Sequence, residues 1–180
     1  MSKHTRILLA ALLVVSALFV ACKGEEEYAE AEAFSFVVYP GARYMGQLTE
    51  NFKAAHRVIS PTQEAPPTAV YDTDAPLEQV ADYYVKQYGY KEIAADATNN
   101  VSGTKPSAYH RSGDLAVDTK AIEGLLKQMN LATDTSKAVG TYKGVEIAPR
   151  PNRPRVTLQR PYFDVTTSQV VDRTLILMAR

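Results

Sequence analysis

The chain has 180 residues and balances 20 Lys and Arg against 20 Asp and Glu, so no net charge draws it to nucleic acid or to an anionic surface. Its length suits one domain with a sizeable core, and its single cysteine excludes an internal disulfide. Tryptophan is absent and tyrosine occurs 11 times, which suits half-buried sheet surfaces where a ring packs and a hydroxyl reaches water.

The chain opens on a positive start, Lys3, His4 and Arg6, followed by an apolar run from Ile7 to Ala21 in which Ser16 is the only clearly polar residue. A spanning helix needs about 20 apolar residues; this shorter run matches the core of a secretory signal peptide. Taken alone, these residues also fit an ordinary secretory signal before a stray cysteine, or an uncleaved anchor. The run ends Leu18-Phe19-Val20-Ala21-Cys22. A small residue directly before a cysteine, with bulky apolar residues upstream, resembles the lipobox of bacterial lipoproteins. That class prefers Leu three places before the cysteine, where Phe19 stands here, with Leu18 one place further out. The resemblance implies that residues 1–21 are removed as a signal peptide. It further implies that the Cys22 thiol takes a diacylglycerol and that the new amino end is acylated, with palmitate as the typical chain. Two or more chains give stable anchoring where one does not. Lys23, rather than Asp, after the cysteine implies an outer-membrane location facing the periplasm in a Gram-negative host.

Residues 22–33 form an acidic tether, KGEEEYAEAEA after the cysteine, with too little apolar surface to pack. Residues 34–180 are expected to form a single α+β domain. Phe34 to Tyr39 reads as a strand closed by Pro40-Gly41, and Ala42 to Leu48 as a second, weaker strand. Asn51 to Ser60 alternates loosely through Phe52, Ala54, His56 and Val58 and is ambiguous. Pro61 to Thr68 is a proline-rich loop, and Ala69 to Thr73 a short strand.

The clearest helix follows. Leu77, Val80, Ala81, Tyr84, Val85 and Tyr88 occupy one helical face. Asp74 is placed as its N-cap, Pro76 falls in its first turn, and Gly89 is placed to end it in a left-handed cap with Tyr90 folding back. Tyr90 to Ala94 reads as a strand and Asp96 to Ser107 as a polar loop. A short strand within Ala108 to Val117, around Leu115 and Val117, precedes a weaker helix from about Thr119 to Met129, closed by Asn130. Val139 to Ile147, Arg155 to Arg160 and Val170 to Met178 read as strands, the last two pairing as a hairpin. The nearly continuous apolar run in the last predicts a central or well-covered strand. The expected architecture is a mostly antiparallel sheet with one clear and one weaker helix packed on one face. The Tyr-Pro-Gly turn, Tyr71-Asp72-Thr73, Tyr83-Tyr84 and the Thr-Leu-Ile-Leu-Met strand loosely resemble small uncharacterised envelope lipoprotein domains, which implies no activity.

No catalytic constellation is apparent. His56 and His110 lack partners at metal-ligand spacing such as HExxH. A GxSxG elbow is absent, and no cysteine remains as a nucleophile once Cys22 carries lipid. Neither a cofactor nor a metal is implied. Arg150, Arg153, Arg155 and Arg160, interleaved with prolines, form a candidate anion-binding cluster, since guanidinium forks grip phosphate and carboxylate; a solvated loop whose charges guard a sheet edge is the structural alternative. The expectation is therefore a lipid-anchored, non-catalytic binding or assembly module with an envelope protein or an anionic cell-wall or lipid partner. The alternative is a small-ligand carrier or hydrolase with a cleft between helix and sheet.

Overall fold

The computed structural model describes residues 36–97 and 106–180. The signal segment 1–21, Cys22, the tether 22–33 and the start of the expected Phe34 strand lie outside the described residues. Six strands form one antiparallel sheet in the order β1 (Arg43–Tyr44), β2 (Thr68–Thr73), β8 (Thr174–Ala179), β5 (Arg155–Arg160), β4 (Thr141–Ile147) and β3 (Ala108–Asp114). A separate ribbon pairs β6 (Tyr162–Asp164) with β7 (Gln169–Val171). Three helices complete the fold: α1 (Gly46–Ile59), α2 (Leu77–Gln87) and α3 (Leu115–Gln128). Among the described residues no helix is long and apolar enough to cross a membrane.

The antiparallel α+β sheet is as expected, and so is the β5–β8 pairing, with β8 interior between β2 and β5. The helices differ in placement. Side chains alternate across a strand, and β8 shows where they go: Ile176 and Met178 enter the core under α2, whereas Leu175 and Leu177 enter the core under α1. One face therefore carries α2, and the other carries α1 and α3, instead of one face holding every helix.

On the first face Val80, Ala81 and Tyr84 have no exposed surface and meet Val145, Ile147, Val156 and Leu158. Burying a Val, Ile or Leu side chain contributes roughly 1.5–3 kcal/mol, so α2 is held by packing. Tyr84 sits in a ladder of rings: Tyr39 and Tyr83 meet edge-on at 5.1 Å, as do Tyr83 and Tyr84, and Tyr84 meets Tyr88 at 6.3 Å. Tyr83 is half-buried within this ladder. The Tyr39 backbone N–H donates to the Tyr84 hydroxyl at 3.1 Å, and the Tyr88 hydroxyl donates to the Pro154 carbonyl at 2.8 Å.

Gly89 ends α2 as expected, at φ +67°, with the Tyr90 N–H reaching the Val85 carbonyl at 3.0 Å. Asp74 does not cap the start. Pro76 itself holds the N-cap position, with extended backbone; Ala75, before the proline, is pushed out of the helical region, so it cannot be the first helical residue that a cap at Asp74 would need. The Asp74 carboxylate pairs instead with Arg173.

Other expectations change as well. Residues 36–39 are not a strand, and the weak strand from Ala42 shrinks to Arg43–Tyr44 before α1 starts at Gly46. The ambiguous Asn51 to Ser60 stretch is the body of α1. The Tyr90 to Ala94 strand reduces to one bridge, Ala94 with Tyr109. α3 starts at Leu115, four residues before the expected Thr119, because Asp114 caps it by accepting from the Ala116 and Val117 N–H groups at 2.8 and 3.2 Å.

Candidate ligand-binding cleft

The arginine cluster is divided by the fold. Arg150, Arg153 and Arg155 gather where β5 begins. There the Arg150 guanidinium lies 4.4 Å from the Tyr90 ring centroid and donates through Nε to the Tyr88 carbonyl at 3.2 Å. Arg160 stands at the opposite end of β5, bound to Asp172 at 2.9 Å and to the Asp74 and Ala75 carbonyls at 3.0 and 3.2 Å. It is a tie between chain segments and not part of the group. Cys22 lies outside the described residues. Among those residues no group of three or more His, Cys, Asp or Glu is arranged to hold a metal.

The interface under α2, where the sequence allows a helix–sheet cleft, is filled. The open space is on the other face, where α1, α3 and the β6–β7 ribbon surround a cleft of about 180 Å³. From α1 come Leu48, Asn51, Phe52, Ala55, His56 and Ile59, an i, i+3, i+4, i+7 stripe. From α3 come Leu115, Thr119, Ile122 and Leu126 on the corresponding stripe, with Asp118 beside them and Met129 just past the helix end. Gln159 and Leu175 form the floor, and Tyr162, Phe163 and Val165 a third wall. Each helix has a wide apolar face, and together the two leave a gap over the sheet.

Two polar networks hold the walls. In the first, Asp72 is fully buried and accepts from Arg43 at 3.1 and 2.8 Å, from Arg173 Nε at 2.9 Å and from the Tyr162 hydroxyl at 3.1 Å. Burial alone would raise the Asp72 pKa. The Arg43 hydrogen bond, the Tyr162 hydrogen bond and the Arg173 charge outweigh it and hold the carboxyl below its ordinary range. Tyr162, a cleft wall, is thereby fixed by its hydroxyl, whose own pKa burial drives well up.

The second network lies on the floor. Arg111 Nε stands 3.1 Å from buried Glu146, and its Nη2 donates to Gln159 at 3.1 Å. Its side chain lies across Gly144, where a Cβ would come within 2.8 Å of Nε and 2.6 Å of the Leu158 carbonyl. The Thr157 hydroxyl donates to Glu146 at 2.8 Å, and the Tyr142 hydroxyl donates to Asp118 at 2.7 Å. Burial pushes the Tyr142 pKa up to about 12, against the opposing pull of Arg111, so the hydroxyl keeps its proton and remains a donor. Gln159 and Asp118, two residues of the cleft lining, are held in place this way.

One lining group is left over. Asn51 is 8% exposed, and its Oδ1 accepts from Gln47 Nε2 at 3.3 Å. Its Nδ2 is buried with no hydrogen-bond partner among the described residues. Such a donor costs about 1–3 kcal/mol when unpaired. Neither Asn51 nor the cleft was singled out from the sequence. The signal was present in Leu48, Phe52, Ala55 and Ile59 at helical spacing, but the alternation of Phe52, Ala54, His56 and Val58 overlies it with a strand period. Chemically, the arrangement holds an apolar body between two helices and offers it a small number of oriented polar groups. No family model, curated protein or solved structure matches the chain.

Proposed function

We propose that the chain is a lipid-anchored cell-envelope protein that acts as a non-catalytic binding module, with the cleft between α1 and α3 as its ligand site. The observation that carries this reading is the cleft: apolar on three walls, with a few polar side chains held at fixed positions, which is the usual make-up of a small-molecule site. The anchoring part rests on the pattern from Lys3 to Cys22, and in a Gram-negative host Lys23 sends the protein to the outer membrane, facing the periplasm. Assembly with an envelope protein or an anionic cell-wall or lipid partner is assigned to Arg150, Arg153 and Arg155, without Arg160.

Two measurements test the proposal. Mass spectrometry of the mature amino end is expected to find Cys22 first and acylated; an unmodified Cys22 or another start refutes the anchoring. A thermal-shift panel of small apolar ligands is expected to raise the melting temperature of the parent chain and not of Ala55→Trp, which fills the cleft. A panel without effect on either chain refutes the ligand site.

A further inference from the structure

We infer that Arg150, Arg153 and Arg155 dock the folded domain onto the phosphates of anionic lipids in the membrane that holds its anchor, with the end of the sheet where β5 begins turned toward the bilayer. The inference rests on the proposed lipid at Cys22 and names the partner of the arginine group. Placement of charge is the first support, although the chain as a whole is balanced. β5 begins where β4 and β8 finish and β3 starts: Arg155 stands opposite Ala179, and Ile147 between Val156 and Ala108. α2 ends there as well, since the Tyr88 hydroxyl donates to the Pro154 carbonyl and the Tyr90 hydroxyl to the Ala148 carbonyl. At the opposite end of the sheet Arg43 pairs with Asp72, Arg160 with Asp172, and Arg173 with Asp72 and Asp74. Among the described residues no ion pair involves Arg150, Arg153 or Arg155. Lys86 and Lys91 are exposed on either side of Tyr88 to Tyr90, and exposed Glu92 and Asp96 offset them. The three arginines therefore carry the excess charge of this corner.

The setting of Arg150 is the second support. Its Nε is spent on the Tyr88 carbonyl at 3.2 Å, and the guanidinium lies 4.4 Å from the Tyr90 ring centroid. Carbonyl and ring hold the plane, and Nη1 and Nη2 have no hydrogen-bond partner among the described residues. A fork fixed in this way grips a phosphate through its two terminal nitrogens. Burial raises the Tyr88 pKa and the Arg153 charge opposes it, which places Arg153 at the same helix end. Arg155 flanks the strand end from the other face, since Val156 packs under α2 and side chains alternate. Reach is the third support. Cys22 stands 14 positions before Phe36, and a chain of that length spans at most about 50 Å. From Tyr39 the rings of Tyr83, Tyr84, Tyr88 and Tyr90 lead to the Arg150 guanidinium in steps of 4.4 to 6.3 Å. An anchored domain thus meets lipid phosphate at high effective concentration, whereas a soluble anion must reach it by diffusion. Glu25, Glu26, Glu27, Glu30 and Glu32 of the tether repel an anionic surface, so any attraction to one belongs to the domain.

The test uses lipid-bearing protein in vesicles of phosphatidylcholine alone, or with about a third phosphatidylglycerol. Gln87→Cys at the end of α2, or Thr141→Cys at the far end of β4, carries a fluorophore on its thiol, and the lipid headgroups carry an energy acceptor. Transfer from Gln87→Cys is expected to rise in the anionic vesicles, and to fall back as ionic strength goes from about 0.05 M to about 0.5 M. Transfer from Thr141→Cys is expected to stay lower, since about 20 Å of strand separates that end from Ile147. Replacing all three arginines by glutamine is expected to lower the docked-to-undocked ratio about a hundredfold, and Lys143→Gln at the far end to leave it unchanged. Equal transfer in the two kinds of vesicle, the result if the tether's glutamates or an acidic protein hold the arginines, overturns the inference. So does a folded triple variant that still responds to phosphatidylglycerol, or a rise at Thr141→Cys in place of Gln87→Cys. If the triple variant does not fold, the salt response of the parent decides. A second labelled thiol, at Cys22, refutes the anchor. Flotation of that protein with the anionic vesicles alone, lost at high salt, still supports lipid docking, and flotation with neither kind overturns both.

Discussion

Asp72 is a buried carboxylate whose ionisation holds three chain segments together: Arg43 from β1, Arg173 from the turn before β8, and Tyr162 from the ribbon. Breaking a buried pair typically costs 3–5 kcal/mol. The Arg43 side chain is 62% exposed and regains water when its partner is removed, so Asp72→Asn is expected to cost about 2–3 kcal/mol at neutral pH. The folded pKa lies below the unfolded one, so the ionised group contributes stability above the ordinary carboxylate pKa of about 3.9. That contribution is lost as pH falls through the folded value. Urea unfolding of parent and Asp72→Asn at pH 7 and pH 3 is expected to show a gap that narrows in acid; an unchanged gap removes the ionised carboxylate from the explanation. Asp72 was legible in the sequence only as a strand end, because its partners stand 29, 90 and 101 positions away.

Glycines separate three kinds of constraint on the elements. Gly124 is exposed on α3 with nothing within 4 Å of an added Cβ, so Gly124→Ala is expected to stabilise the protein by about 1 kcal/mol. Gly89 also has open space, but its φ of +67° makes Gly89→Ala cost about 1 kcal/mol. Gly144 has neither strain nor space, and Gly144→Ala is expected to cost about 1–3 kcal/mol as Arg111 is displaced. Chemical denaturation of the three variants checks both order and sign. Local chemistry made α2 readable, since one apolar stripe and one glycine cap agree. It also misled. A carboxylate at Asp74 suits a cap, but Pro76 keeps Ala75 out of the helical region and the helix starts only at Leu77. α1 was obscured because Ala54 and Val58, on its outer side, complete a false alternation with Phe52 and His56.

On the scale of the molecule, the sheet is covered twice, and the two coverings differ in kind. α2 closes one face with a filled core, whereas α1 and α3 leave a trough on the other. Single-sequence periodicity assigns a helix an apolar stripe but does not say which face of a sheet receives it, and so the stripe of α1 alone does not mark the candidate site, a gap between two helices. The expectations for Cys22 and for Arg150, Arg153, Arg155 and Arg160 came from residues close together in sequence, and only the fold shows that Arg160 stands apart from the other three. The position of β8 has a further consequence, for the order in which the protein can come into being. β2 has only β1 and β8 as sheet neighbours, and β8 follows in the chain long after it. Until Thr174 to Ala179 are delivered, β2 and the β3–β4–β5 group are two fragments with no strand to join them, and long-range closure of this type is slow. A polypeptide threaded through a membrane as an extended strand would therefore be kept from folding early by its own topology. Chains stopped before Thr174 are expected to be digested throughout by protease, with no resistant core, whereas the full chain yields a protected fragment. A stable core in the shortened chain would show that the sheet assembles without its central strand.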